Sequence, residues 1–298
     1  MVQVAYFVLN VSSNTINRRS RMLPQIIFSI LLSIAMFFLA FNLELEKMGL
    51  ASNLSALMIV LGGTLAATLI AYPWRRLIWT AHLMKTAFLS VNEIDWTKKT
   101  IVTLARSYRK NGIRVLEQMG ERLPNGHLKT AVALITYNYA KHEIEHILRK
   151  EAHIIYSQYE ASDKIICNMA RLAPALGLTG TIVSLIRTFG HITDTNGLVG
   201  CMGIALLSTF YGVVFANLCF IPLSNKLREF MDQEATRFDL IQEGILDLYD
   251  QENPRAMEYK LESLSSLSTR GLREGFVTPR PELVVMTTPK MQAASVSS

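Results

Sequence analysis

Two apolar stretches in the second half of the chain carry the side chains that could do chemistry. From Arg171 the sequence reads RLAPALGLTGTIVSLIRTFG, then a short polar turn, then GCMGIALLSTFYGVVFANLCFIPLSNKL. Thr181 stands near the middle of the first stretch. Ser208 and Thr209 stand near the middle of the second, and each stretch carries a proline, Pro174 or Pro222, near one end. A segment that only crossed lipid would be built of Leu, Ile, Val and Phe. Polar residues and helix breakers at membrane depth face a protein interior or an ion path. At 1.5 Å per residue, Thr181 and the two hydroxyls of the second stretch each lie about ten residues in, at matched depth on antiparallel helices. There they could jointly contact an ion. The competing reading bonds each hydroxyl back to a carbonyl of its own helix, and periodicity alone favours it.

Each proline removes a donor and releases a carbonyl four residues earlier, that of Ala170 or Leu218. Such a point is a hinge, an ion ligand or simply a tolerated kink. None of the apolar stretches holds an Asp or Glu at its core. A proton or sodium path needs a group that takes and releases the ion, so if this chain conducts, a partner must bring the carboxylate.

A second motif offers different chemistry. His142-Glu143-Ile144-Glu145-His146 is a literal H-E-x-x-H, which on a helix sets two histidines on one face to hold zinc, with the glutamate as base. Glu151 and His153 are the nearby third ligands. A solvated polar face accounts for the same residues, and the charged Glu145 stands where zinc proteases carry a neutral residue. The expectation is that the chain is not an enzyme and holds no metal or cofactor.

The elements that would position these groups follow from composition. Half the residues are hydrophobic and only 18% are charged, which is too apolar for an ordinary soluble domain of this length and reads as an integral membrane protein. The net charge of +6 does not indicate nucleic acid, because the basic residues flank apolar spans without interleaved aromatics. The three cysteines, Cys167, Cys201 and Cys219, lie in or beside the last two spans and read as small packing residues rather than a disulfide framework. Four spans are expected, at residues 22–41, 54–74, 165–189 and 198–223, each near the roughly 20 apolar residues that a crossing helix needs. The segment between the second and third holds 15 Lys/Arg against 9 Asp/Glu, and the short loops on the other side are nearly free of basic residues. Positive charge stays inside, which places both termini and this segment in the cytoplasm, with the spans in the inner membrane.

The fold expected is therefore all-α. A cytoplasmic extension (1–21) precedes spans one and two (22–74). A helical cytoplasmic domain (75–164) runs straight into span three, spans three and four (165–223) follow, then a cytoplasmic C-terminal helix (224–270) and an unstructured tail (271–298). The first residues, MVQVAYFVLN, are followed by no small-residue cleavage site and read as an uncleaved segment. Small residues at four-residue spacing, Ala173-Gly177-Thr181 and Ser208-Gly212-Ala216, with Gly62, Gly63, Gly180 and Gly203, call for close helix packing across several subunits.

Four collinear motifs then carry a resemblance. LGGTLAATLIAYPW, LARSYRKNGIRVLE, LAPALGLTGTIVSL and IALLSTFYGVVFANLCFIPLSNKL together resemble the A subunit of the flagellar motor stator, the MotA/PomA family, over roughly residues 54–226. The resemblance implies a ring of A subunits, five around two MotB/PomB-type B subunits whose membrane aspartate supplies the missing carboxylate and which anchor in peptidoglycan. Ion flow would turn the A ring against the rotor switch protein FliG. By position, Thr181 and Thr209 would line the ion path, with Ser208 beside them. Pro174 and Pro222 would couple ion binding to movement, and Arg109 and Glu117 would form the charged pair that touches the rotor. Those two lie about two turns apart if the stretch is one helix. The number of hydroxyls favours sodium over a proton. Ser208 departs from the threonine common in sodium-driven members, and Arg187 sets a charge near the outer end of span three. A TolQ/ExbB-type proton-driven transducer is the alternative, although that family places its cytoplasmic bulk between the first and second spans. A non-conducting scaffold, whose tight packing is its whole purpose, is a third reading.

Overall fold

A computed structural model describes residues 50–89, 93–124, 126–190 and 195–274. Among them every regular element is helical. Span one, the N-terminal extension and residues 275–298 of the tail lie outside the described residues.

Helix α1 (Leu50–Leu57), a π-helical stretch (Met58–Gly62) and α2 (Gly63–Ala71) run end to end. They stop at Tyr72, which is extended at φ −131° and ψ 139°. Pro73 is the cause, since its ring disfavours a helical residue before it. Helix α3 (Trp74–Leu89) restarts beyond it, followed by α4 (Ile94–Asn111) and α5 (Ile113–Glu121). Gly112 separates α4 from α5 at φ 75°, a left-handed conformation that costs a residue with Cβ. Helix α6 (His127–Thr136) ends on Asn138 at φ 60°. The Asn138 and Tyr139 N–H groups donate back to the Ile135 and Leu134 carbonyls at 3.0 and 3.2 Å, satisfying the last turn.

Two long helices then organise the molecule. Helix α7 (Lys141–Gly190) has 50 residues, about 75 Å of axis. It continues through Pro174, so span three and the polar helix before it are one rod. Helix α8 (Thr195–Val214) returns beside it, passes through a π-helical stretch (Phe215–Phe220) and becomes α9 (Ile221–Tyr249). The chain turns at Gln251, where φ is 54°, and α10 (Pro254–Glu274) follows. The segment after span four is thus two helices rather than one. The second extends four residues past the expected start of the tail.

One core is made of large aliphatic side chains from α4 to α6, the start of α7, the end of α9 and α10: Ile101, Leu116, Ile144, Leu148, Ile241, Ile245 and Leu261 are fully buried. Another lies where α3, α7 and α9 meet, around Leu83, Met84, Ile166, Phe220, Leu227 and Phe230. Beyond it the outward face changes character: Leu178, Ile182, Ile186 and Phe189 of α7 are largely exposed, as are Met202 and Leu206 of α8. Three helical runs among the described residues are long and apolar enough to cross a membrane, within 54–71, 141–189 and 202–249.

Candidate functional site

The seam between α7 and α8 is built by glycine. A Cβ on Gly177 would stand 2.8 Å from the Ser208 carbonyl oxygen and 3.1 Å from the Thr209 Cα. On Gly212 it would stand 2.7 Å from the Ala173 carbonyl oxygen and 3.1 Å from the Pro174 Cα. These are backbone neighbours, which cannot swing aside. Gly180 meets the Ser208 side chain at 2.7 Å and Ile59 of the π-helical stretch at 3.3 Å. Residue 173 thus faces 212, and 180 faces 208, an antiparallel register in which three helices touch through small residues.

This register positions the three hydroxyls differently. Ser208 is fully buried, and its Oγ donates to the Ala205 carbonyl at 2.9 Å and approaches the Gly177 carbonyl of α7 at 3.2 Å. It belongs to the seam. Thr181 follows Gly180 on α7, is partly exposed, and its Oγ1 donates to the Leu178 carbonyl at 2.7 Å. Thr209, about a turn further along, has a buried Oγ1 with no hydrogen-bond partner. The other described threonines of the three candidate runs each bond back to their own helix: Thr64, Thr68, Thr179, Thr181, Thr188 and Thr236. Back-bonding explains those. It does not explain Thr209, whose hydroxyl is buried without a partner among the described residues. The three hydroxyls thus differ in partner: Thr181 bonds within its own helix, Ser208 bonds within its helix and across the seam, and Thr209 has none among the described residues.

The prolines bracket the seam. Pro174 sits inside α7 against Gly212. Pro222 follows a π turn in which the Ile221 N–H reaches back five residues to the Ala216 carbonyl. The expectation that Pro222 frees the Leu218 carbonyl therefore changes. In the wider register, the donor missing at Pro222 is the one the Asn217 carbonyl would have used. Asn217 is exposed, and its side-chain amide donates to the Val213 carbonyl at 2.8 Å.

Below the prolines the structure reveals a clamp that sequence reading missed. Ser224 donates to Asp163 at 2.5 Å, Arg228 donates to the other oxygen of Asp163 at 2.9 Å, and the Cys167 sulfur lies 3.2 Å from Ser224 and 3.3 Å from Arg228. It ties α7 to α9 one turn past Pro222. Nothing in the spacing of Arg228 announces a partner 65 residues away.

Arg109 and Glu117 do not share a helix. Arg109 is in the last turn of α4, Glu117 is in α5, and Gly112 breaks the axis between them, so the two-turn spacing does not apply. Both are exposed, and neither makes an ion pair among the described residues. The H-E-x-x-H residues have other work. Glu143 accepts from the Ala140 N–H at 3.1 Å at the start of α7, Glu145 pairs with Arg149 at 2.7 Å, and Glu151 pairs with His127 at 2.9 Å. No three described His, Cys, Asp or Glu residues converge as metal ligands.

His127 was also missed. It is buried against Phe238, and its Nε2 has no partner. Burial pushes its pKa below 6.5, against the opposing pull of Glu151.

Comparison with known proteins agrees with this geometry. The MotA/TolQ/ExbB proton channel family model matches residues 115–240. PomA, a chemotaxis protein of Vibrio alginolyticus, is 25% identical over 227 residues, covering 76% of this chain and 89% of that protein. Motility protein A of Borreliella burgdorferi is 31% identical over 163 residues, covering 55% of this chain and 63% of that one. The fold superposes on a chain of the flagellar MotAB stator complex from Bacillus subtilis with a TM-score of 0.71 at 21% identity, over 84% of this chain and 98% of that one. The all-helical fold and the glycine seam thus stand beside a likeness to the PomA and motility protein A chains and to the MotA/TolQ/ExbB family model.

Proposed function

We propose that this chain is the A-type subunit of a flagellar motor stator. It sits in the bacterial inner membrane with four spans and both termini in the cytoplasm, and rings a pair of MotB/PomB-type B subunits, five to two. The observation that carries the reading is the Thr209 hydroxyl: buried, unpartnered, and on spans that hold no carboxylate. A single chain gains nothing from burying an unsatisfied hydroxyl. A channel completed by a B-subunit aspartate does. The likeness to PomA and to the chain of a MotAB complex supports the same assignment.

In this reading the B subunit's carboxylate carries the ion, and Thr181 and Thr209 supply oxygens along its path. Ser208 holds α7 and α8 at the spacing that aims them. Sodium is favoured over a proton, since a desolvated sodium ion needs several oxygens and a proton needs one site. Pro174 and Pro222, with the π turn before the latter, let α7 and α9 flex when the carboxylate is neutralised. Arg109 and Glu117, exposed on either side of Gly112, offer FliG a mixed-sign surface suited to fast, registered, modest-affinity contact. No bond is made or broken, so the activity is transport and torque rather than enzymatic.

The test is swimming speed of cells driven only by this chain and its cognate B subunit, with sodium varied at constant ionic strength and the proton gradient collapsed separately. Speed that tracks sodium and survives proton collapse is expected. Speed indifferent to sodium but lost with the proton gradient would turn the hydroxyls into water-path residues. No torque with any B subunit would overturn the assignment.

A further inference from the structure

The first turns of α3 present a surface that neither core nor seam uses. One side of α3 is firmly packed: Leu83, Met84 and Ala87 are buried, and Thr80 donates to Ser162 of α7 at 3.0 Å. Trp79 stacks on Tyr159 at a centroid distance of 6.1 Å. The other side carries Trp74 and Ile78, which are 64% and 53% exposed, beside the exposed Arg75 and Arg76. Among the described residues neither guanidinium group makes an ion pair or hydrogen bond. Such apolar exposure next to unpaired guanidinium groups is costly in water and unexplained by the chain's own contacts.

Its position says what covers it. Trp74 follows the end of the first described span by only two residues, Tyr72 and Pro73. The Tyr72 hydroxyl accepts a hydrogen bond from Asn168, at the start of the apolar part of α7. The surface therefore sits at the rim where apolar helix gives way to polar helix. Tryptophan is enriched at that level because its ring is apolar and its N–H is polar. Arginine there meets phosphate, with a planar fork that fits two phosphate oxygens.

We propose that Trp74, Arg75, Arg76 and Ile78 form a docking site for anionic phospholipid, with the arginines on the headgroup phosphates and Trp74 and Ile78 at the acyl boundary. The site selects lipid by charge and fixes the angle at which α3 leaves the membrane. Because α3 packs on α7 and α9 through Thr80, Leu83 and Met84, lipid charge reaches α7, one of the two helices that carry the seam, and α9, which continues from the other. This inference rests on the membrane placement given above and not on ion choice or torque.

The test reconstitutes the full chain into phosphatidylcholine bilayers and measures the association of spin-labelled phosphatidylglycerol relative to spin-labelled phosphatidylcholine at the protein surface. Each cation near an anionic surface is worth about a fivefold preference at low salt. Wild-type protein should prefer phosphatidylglycerol, and added salt should weaken that preference. Arg75→Gln/Arg76→Gln should bring the ratio close to one, and Arg75→Lys/Arg76→Lys should restore most of it. Lys99→Gln/Lys150→Gln, the same charge change on exposed sites far from the span, should leave it unaltered. Equal ratios in wild type and Arg75→Gln/Arg76→Gln would overturn the proposal. So would efficient disulfide cross-linking of Trp74→Cys between copies in the membrane, which would make the occupant a second copy of this chain. The lipid ratio reports on this surface whether or not the cells swim, so its failure is separable from failure of the stator assignment.

Discussion

Helix α7 and the continuous run from α8 through the π-helical stretch into α9 pass through two regions that hold together by opposite means. In the polar region they pack by large side chains. Leu148 and Ile144 of α7 and Ile241 and Ile245 of α9 are wholly buried among Ile101, Leu116 and Leu261, while charge faces outward. In the apolar region the helices pack by lacking side chains. Gly177, Gly180 and Gly212 let backbones touch, while large aliphatics face outward. The difference follows from solvent. Water drives aliphatic surface inward. Lipid offers no such drive, so close contact and backbone-directed hydrogen bonds must hold the helices. Where side chains are absent, a single unsatisfied hydroxyl such as Thr209 becomes conspicuous.

The comparison can be broken most forcefully at the seam. Gly212→Leu would put side-chain atoms where even a Cβ stands 2.7 Å from a backbone oxygen. Helices α7 and α8 must separate, at a cost exceeding the roughly 1–3 kcal/mol of ordinary overpacking. Monodisperse protein in detergent should be lost. Gly62→Ala is the matched control, since nothing lies within 4 Å of that Cβ, and it should leave yield unaltered. In the polar region the corresponding break is a deletion. Leu148→Ala, at a site with no exposure, should lower thermal or denaturant stability by about 2–5 kcal/mol through cavity formation.

A smaller effect separates the regions by pH. Burial holds His127 below 6.5 in the folded chain. The unfolded chain takes up its proton as pH falls through 6.5, and the folded chain resists it. Stability present above 6.5 is therefore lost on acidification until the folded value is reached. Melting temperature measured from pH 7.5 downward should fall less steeply in His127→Gln. An unaltered slope would give His127 no part in it. The smallest effect is expected on the exposed face. Arg106 and Glu258 pair at 2.8 Å with more than half of each side chain in water. Arg106→Gln should shift stability by no more than about 0.5 kcal/mol.

Much of this was legible in the sequence because local signals were strong. Pro73 ends the second described helix as the pattern Ala-Tyr-Pro-Trp requires, and the run through 165 into span three is one continuous helix. The spacing of Ala173, Gly177, Ser208 and Gly212 foretold the seam. What sequence could not supply was register. Matched depth set Thr181, Ser208 and Thr209 together, but depth does not say which hydroxyl finds a partner: Ser208 bonds in the helix contact and Thr209 is buried without one. The two-turn spacing of Arg109 and Glu117 held only if one helix ran through them, and the positive φ at Gly112 that breaks it is not legible from a glycine alone. The π turn before Pro222 has no sequence signature, because an i→i−5 register differs from α only in which carbonyl each donor finds. The Asp163, Ser224 and Arg228 clamp and the His127–Glu151 pair were hidden because their partners are far apart in sequence.

The central claim, proposed above, is that the buried, unpartnered Thr209 hydroxyl serves an ion path completed by a B subunit. Ion flux through the chain reconstituted with its B subunit tests it most directly, comparing wild type with Thr209→Val, Thr209→Ser and Ser208→Ala. Thr209→Val should abolish most of the flux with the complex intact, and Thr209→Ser should conserve it. Ser208→Ala should loosen the complex before it alters ion selectivity. Full flux in Thr209→Val would contradict the account and return Thr209 to a packing role.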